Sequence, residues 1–190
     1  MKSRGFSLMG RQMPAWVFVL ILLAAVTAVT GTPYAVYKFS GQASQNPIYP
    51  EVKTQLPLPP GKTLSDLTQG DVYDVIDGDT IEVLIDHKLE YVRYYGVDTP
   101  EKADNCYIAA TERNRDLVGS HVLLLPDARD RDEFGRLLRY VFKSDGTSVD
   151  ATLVAEGLGH AWLQDGQYKS QIVTIEGQAQ GRQTGCLWKN

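Results

Sequence analysis

Two short acidic motifs and two arginines carry the chemistry this sequence offers. Asp77-Gly78-Asp79-Thr80 is followed by Arg93 and then by Asp98-Thr99-Pro100-Glu101, and Asp132-Glu133-Phe134-Gly135-Arg136 adds the second arginine. Carboxylates hold a hard divalent cation and take protons from water. Guanidinium groups present a planar fork of donors that matches phosphate oxygens, where a lysine would offer only a point charge. Acids suited to a cation and to water, spaced with arginines suited to phosphate, point to cleavage of a phosphodiester.

Pieces this far apart in the chain must be gathered by the fold, and hydrophobic alternation indicates how. Asp71–Ile76, Thr80–Ile85 and Leu89–Tyr95 alternate as strands, with Asp86-His87-Lys88 as a tight hairpin turn between the last two. Asp77 belongs in the turn between the first two, bonding its own loop backbone. Ala109–Val118 reads as a helix, His121–Leu125 as a short strand, and Arg136–Phe142 as a strand turned at Ser144-Asp145-Gly146. Val149–Glu156 is helical with Gly157 as its C-cap, and a last helix runs from about Tyr168 to Gln180, weakened by Gly177 and ended near Gly181. This order is α+β and mainly β. Five short, mostly antiparallel strands close into a Greek-key barrel with about three packed helices.

The chain ahead of that domain has a different character. Residues 15–31 carry no charge, and Lys2, Arg4 and Arg11 precede them without an acid. A basic flank before an apolar run directs export with the N-terminus inside. The run is longer than a signal core of roughly 7–15 residues and at the lower limit, roughly 17, of a membrane span. A signal cleaved near Val26-Thr27-Ala28 and a retained transmembrane helix that anchors the protein both stay open. Residues 32–67 hold Pro33, Pro47, Pro50, Pro57, Pro59 and Pro60 among polar residues and read as an extended tether. The expected organisation is therefore 1–31 export segment, 32–67 linker and 68–190 domain.

Charge and cysteines narrow the function. Without the three basic residues ahead of the apolar run, the net charge of −4 becomes −7. So acidic a domain is a poor general sponge for nucleic acid, which disfavours a pure binding module but leaves an enzyme with a local basic cleft. Cys106 and Cys186 would meet an oxidising environment after export, where an even count favours one bridge; two unrelated thiols are the alternative. No CxxC or close His pair makes a zinc site. Asp127, Asp130 and Asp132 resemble part of a calcium loop, but from Asp130 the fifth position is Phe134 and the twelfth Val141, so a solvated acidic loop is the better reading.

Taken in order, Val75–Thr80, Val92–Glu101 and Asp132–Arg136, with Gly157-Leu158-Gly159 and Gly185-Cys186-Leu187-Trp188, resemble the thermonuclease (staphylococcal nuclease-like) family over roughly residues 70–188. The resemblance implies an OB-fold barrel and a Ca²⁺-dependent nuclease acting on DNA and RNA, leaving 3′-phosphate and 5′-hydroxyl ends. By motif position, it implies Asp79 and Asp98 as Ca²⁺ ligands with the Thr99 carbonyl, Glu101 as general base, and Arg93 and Arg136 on the scissile phosphate. Phe134 and Trp162 either stack on the nucleotide or belong to the core. Glu133 stands where family members can carry a basic residue, and the segment 102–106 is short where a longer loop would cover substrate. The expectation is an exported nuclease with a monomeric catalytic domain. The competing class is a non-catalytic OB module that binds nucleic acid or protein at the cell surface.

Overall fold

The computed structural model describes residues 54–189. The apolar run 15–31, and with it the choice between signal and anchor, lies outside the described residues. Among those described, no helix is long and apolar enough to cross a membrane.

The strands in chain order are β1 (Thr68–Val75), β2 (Thr80–Ile85), β3 (Lys88–Tyr94), β4 (Val97–Asp98), β5 (His121–Arg131), β6 (Leu137–Phe142) and β7 (His160–Ala161). The helices are α1 (Tyr107–Val118), α2 (Val149–Ala155), α3 (Lys169–Gly181) and the short α4 (Gly185–Trp188). Five strands close a barrel in the order β1-β2-β3-β6-β5, and β4 pairs with β7 in a separate ribbon. This is the mixed α+β barrel that the strand pattern predicts and the OB-type barrel that the resemblance implies.

Local chemistry explains the elements. The β2–β3 hairpin turns on Asp86 and His87, both with positive φ, the two-residue loop whose twist suits antiparallel strands. Ile81, Val83, Val92, Leu124 and Val141 point inward and are fully buried, and each large side chain here contributes roughly 1.5–3 kcal/mol by leaving water. Helix α2 starts at Ser148, whose hydroxyl accepts from Ala151 N. It ends at Gly157 (φ 65°), with Gly157 N bonded to Val154 O and Leu158 N to Leu153 O, a Schellman closure.

β3 and β6 pair in parallel and the other barrel pairs are antiparallel, in keeping with the mostly antiparallel reading. Three features depart from the sequence reading. β5 runs to Arg131 rather than ending at Leu125, so residues 127–131 are strand and not a solvated acidic loop. Their charged side chains are paired across the sheet: Arg131 with Glu90 and Arg139 with Asp130. α1 begins at Tyr107, two residues earlier than expected, after Cys106 at φ 75°. Residues 54–67, assigned to the tether, pack on the domain: Leu56 is buried, Gln55 bridges Thr147, and Tyr168 Oη donates to Pro57 O.

A disulfide joins Cys106, just ahead of α1, to Cys186 in α4. The C-terminal turn is seated further by Leu187 N donating to Gly157 O at 3.1 Å.

One buried acid ties β4 to the barrel. Asp150, fully enclosed in α2, accepts from Gly96 N and from Val141 N, each at 2.9 Å. Burial pushes its carboxyl up to about 6, against the pull of those two bonds. An asparagine at this position would set an amide N–H against one of the two backbone donors. Asp150→Asn is therefore expected to lose about 1–3 kcal/mol in denaturant unfolding at pH 7, the cost of one orphaned buried donor.

Candidate active site

The first acidic motif is a turn held from behind. Asp79 N donates to Asp77 Oδ1 at 3.1 Å, the side-chain turn expected of Asp77. Asn114, wholly buried on α1, donates to Asp77 O at 2.9 Å and accepts from Tyr94 Oη at 2.7 Å. The turn thus rests on a helix and a strand together.

The second motif is fastened to the first. Thr99 N and Thr99 Oγ1 donate to Asp79 Oδ2 at 2.6 and 2.8 Å. Gly78 makes room for this approach, since a Cβ there would lie 2.6 Å from Thr99 Oγ1. Asp79 is only 5% exposed. Burial raises its carboxyl to about 6; Arg93 pulls it down, Asp77 pushes it up, and the two Thr99 bonds lower it.

Arg93 links the two carboxylates. Its Nε lies 3.1 Å from Asp79 Oδ1 and its Nη2 donates to Asp98 Oδ1 at 2.6 Å. Its Nη1 donates to Tyr94 O and Val97 O at 2.8 and 2.5 Å. The guanidinium sits 5.9 Å from the centre of the Trp162 ring. An arginine at an outward strand position is here nearly buried and held along its whole fork.

Arg136 is aimed by Asp132. Asp132 Oδ2 accepts from Arg136 Nε at 2.6 Å, while Oδ1 accepts from Phe134 N and Arg136 N at 3.0 and 2.9 Å. One carboxylate therefore builds the Phe-Gly turn and orients the arginine that leaves it. Phe134 is 76% exposed and lies under the Arg136 guanidinium, 5.5 Å away, so it is not a core residue.

These groups open on one cavity of about 520 Å³. Asp79, Arg93, Asp98, Glu101, Arg136, Phe134 and Trp162 all line it, with Glu101 exposed and Trp162 half-buried. Thr99 stands behind Asp79 rather than on the wall. The sequence reading did not single out Tyr95, Arg129, Leu138 and Gln164, which also line the cavity. Tyr95 lay within a motif, whereas Arg129 and Gln164 carry no local signal.

Asp79, Asp98 and the backbone carbonyl of Thr99 are hard oxygen donors of the kind Ca²⁺ accepts. The donor set fits a hard divalent cation. Among the described residues, no three His, Cys, Asp or Glu side chains converge as a cage, so backbone and water oxygens would complete the shell.

The sequence model of the family described as staphylococcal nuclease homologue matches residues 91–190, more than half the chain. The protein belongs to this family. Its relatives include endonuclease YncB of Bacillus subtilis (strain 168), 36% identical over 156 residues, 74% of each chain. The thermonuclease of Staphylococcus hyicus is 35% identical over 127 residues, 63% of this chain and 75% of its own. The SPbeta prophage-derived endonuclease YokF of Bacillus subtilis (strain 168) is 38% identical over 126 residues, 60% of this chain and 42% of its own.

In this member of the staphylococcal nuclease family, the Asp132–Arg136 pair gives a pH signature. Burial alone would raise Asp132, but the Arg136 side-chain and backbone bonds outweigh it and its carboxyl sits below the usual value. A depressed acid stabilises the fold above its unfolded pKa, and that contribution disappears as pH falls through the folded value. Asp132→Asn is expected to cost about 1–2 kcal/mol at pH 7. The deficit should shrink steadily below about pH 4 when urea unfolding is repeated at acid pH.

Proposed function

We propose that this protein is an exported, calcium-dependent nuclease that hydrolyses phosphodiester bonds of DNA, RNA or both. The observation that carries this reading is the convergence of Asp79, Arg93, Asp98, Glu101 and Arg136 on one cavity. The names of its relatives, endonuclease and thermonuclease, support the same class. The charged N-terminus ahead of the apolar run 15–31 supports export, with the segment either removed or kept as an anchor.

In this reading Glu101 takes a proton from the attacking water. Among the described residues its exposed carboxylate has no side-chain bond that would have to break first, whereas Asp79 and Asp98 are engaged. Arg93 and Arg136 donate to the equatorial oxygens of the phosphorus centre as charge builds there. Asp79, Asp98 and the Thr99 carbonyl would hold the Ca²⁺, which when bound would supply Lewis-acid polarisation of the phosphoryl group. Phe134 and Trp162 offer apolar faces on which bases or sugars rest.

Hydrolysis of single-stranded DNA by the oxidised protein, with Ca²⁺ or with EGTA, tests the reading. Cleavage is expected with Ca²⁺ and not with EGTA. Glu101→Gln should lower kcat by about 10²–10⁴-fold while leaving the melting temperature essentially unchanged, because the side chain is exposed. Normal turnover in that variant would remove Glu101 from the role of base. Ca²⁺-dependent binding without any hydrolysis in the unaltered protein would favour the non-catalytic module instead.

Arg93→Lys keeps the charge and loses the fork. One ammonium cannot serve Asp79, Asp98, two backbone carbonyls and a phosphate. A drop of about 10²-fold or more in kcat/KM is expected. Wild-type rates would refute the argument from fork geometry.

A further inference from the structure

The segment that carries Glu101 has few anchors. Thr99 is buried and bonded to Asp79, and Ala110 on α1 is buried, but none of residues 100–109 between them is. Among the described residues, the hydrogen bonds of 101–109 stay within the segment and the helix it opens. Asp104 N donates to Glu101 O at 2.8 Å, Asp104 Oδ2 accepts from Glu101 N at 3.2 Å, and Ala110 N donates to Cys106 O at 2.9 Å. Helix α1 receives no side-chain cap from Cys106, so its first turn is not fastened in that way either. The one tie from this segment to a distant part of the chain is the bridge from Cys106 to Cys186.

The other end of that tie is firmly seated. Leu187 N donates to Gly157 O, and the backbone around Gly185 presses on the end of α2. A Cβ on Gly157 would lie 1.9 Å from Thr184 O, and one on Gly185 would lie 2.0 Å from Glu156 O. The Trp188 ring meets His160 edge-on at 5.3 Å. Helix α2 itself is core, with Leu153 and Val154 fully buried. Cys186 therefore lends the Glu101 segment a fixed point on α2 that the segment's own residues do not supply.

The tie is also open to chemistry, because Cys186 is exposed. A dithiol reductant can attack Sγ of Cys186 with its first thiolate and displace the Cys106 thiolate. Its second thiolate then attacks the mixed disulfide and displaces that of Cys186. One S–S bond leaves the protein, one forms in the reductant, and two electrons pass to the cysteines, which take up protons as thiols. Glu101 would then hang from the Thr99 end alone, while Arg93 and Arg136 keep their carboxylate partners.

We propose that Cys186, through its bridge to Cys106, is a positioning residue for Glu101, and that reduction of the bridge switches cleavage down. This rests on the nuclease reading above. Such an enzyme stays slack in a reducing cytoplasm and tightens once exported and oxidised. The test uses the full protein in three states: oxidised, reduced with dithiothreitol, and re-oxidised. kcat and KM on single-stranded DNA with Ca²⁺, melting temperature and amide hydrogen exchange are followed in each, well below the melting temperature of the reduced form. Reduction is expected to lower kcat at least about tenfold with KM within about twofold, since a small misplacement of a reacting group is costly. Exchange at residues 100–109 should rise, and re-oxidation should reverse both changes. The double variant Cys106→Ser/Cys186→Ser should have the low kcat from the start and not respond to dithiothreitol. An unchanged kcat on reduction, a loss that tracks the unfolded fraction, or a loss carried by KM would each overturn the positioning role. No cleavage even by the oxidised protein would sink the nuclease reading; exchange would then decide the anchoring alone, a rise at 100–109 upholding it and no change overturning it.

Discussion

The arrangement of the site depends on the bond pair from Thr99 to the buried carboxylate of Asp79. That carboxylate belongs to the turn between β1 and β2, and Thr99 belongs to the segment after β4. The same segment is gripped at its other end, where Gly96 N meets Asp150. Residues 96–99 are therefore slung between two buried aspartates, one from the barrel and one from α2. Asp98 projects from the middle of this sling to Arg93, and Glu101 follows directly after it. An ionised group out of water is costly, and here the cost is offset by backbone donors whose positions are fixed. A looser attachment would let the second acidic motif drift relative to Arg93.

The arginines of the domain are largely committed to acids. Arg113 makes a two-pronged bond to Glu156, which is 1% exposed, and Arg129, Arg131, Arg136 and Arg139 each have a carboxylate partner. With charge spent locally, little is left for a diffuse basic surface, in keeping with the acidic composition. A nucleic acid meeting such a domain gains less from counterion release than it would on a basic face. What positive charge the domain turns toward a polyanion is gathered at the cavity, where Arg93 and Arg136 lie.

Much of the fold was legible because its signals are local. β1, β2 and β3 alternate strongly, Asp86-His87 announces a two-residue turn, and Ser148 and Gly157 mark the two ends of α2. The acidic motifs and the Phe-Gly turn before Arg136 are compact, which is why the residues they contain stood out and are found around one cavity. What was missed is short, or non-local. β4 and β7 have two residues each and cannot show a period. The far half of β5 alternates charge instead of apolarity, because its side chains pair across the sheet rather than burying, so it read as loop. Pro57, Pro59 and Pro60 suggested a tether, yet Leu56 beside them is buried and Pro57 accepts from Tyr168 far along the chain. Arg129 and Asp165 pair only when β5 and the loop after β7 are brought together.

The bridge from Cys106 to Cys186 divides the chain unevenly. It leaves β1 to β4, with Asp79, Arg93, Asp98 and Glu101, outside its loop, and encloses β5 to β7 with Arg136 and Trp162. Any single backbone cut between the two cysteines leaves both pieces covalently attached. A protease that nicks an exposed turn in this half, such as that around Gly146, cannot by itself release a fragment. A cut between Glu101 and Cys106, by contrast, parts the two acidic motifs from the rest with only packing to hold them. Wherever proteases are met, tolerance of damage is thus built into one half of the site and absent from the other.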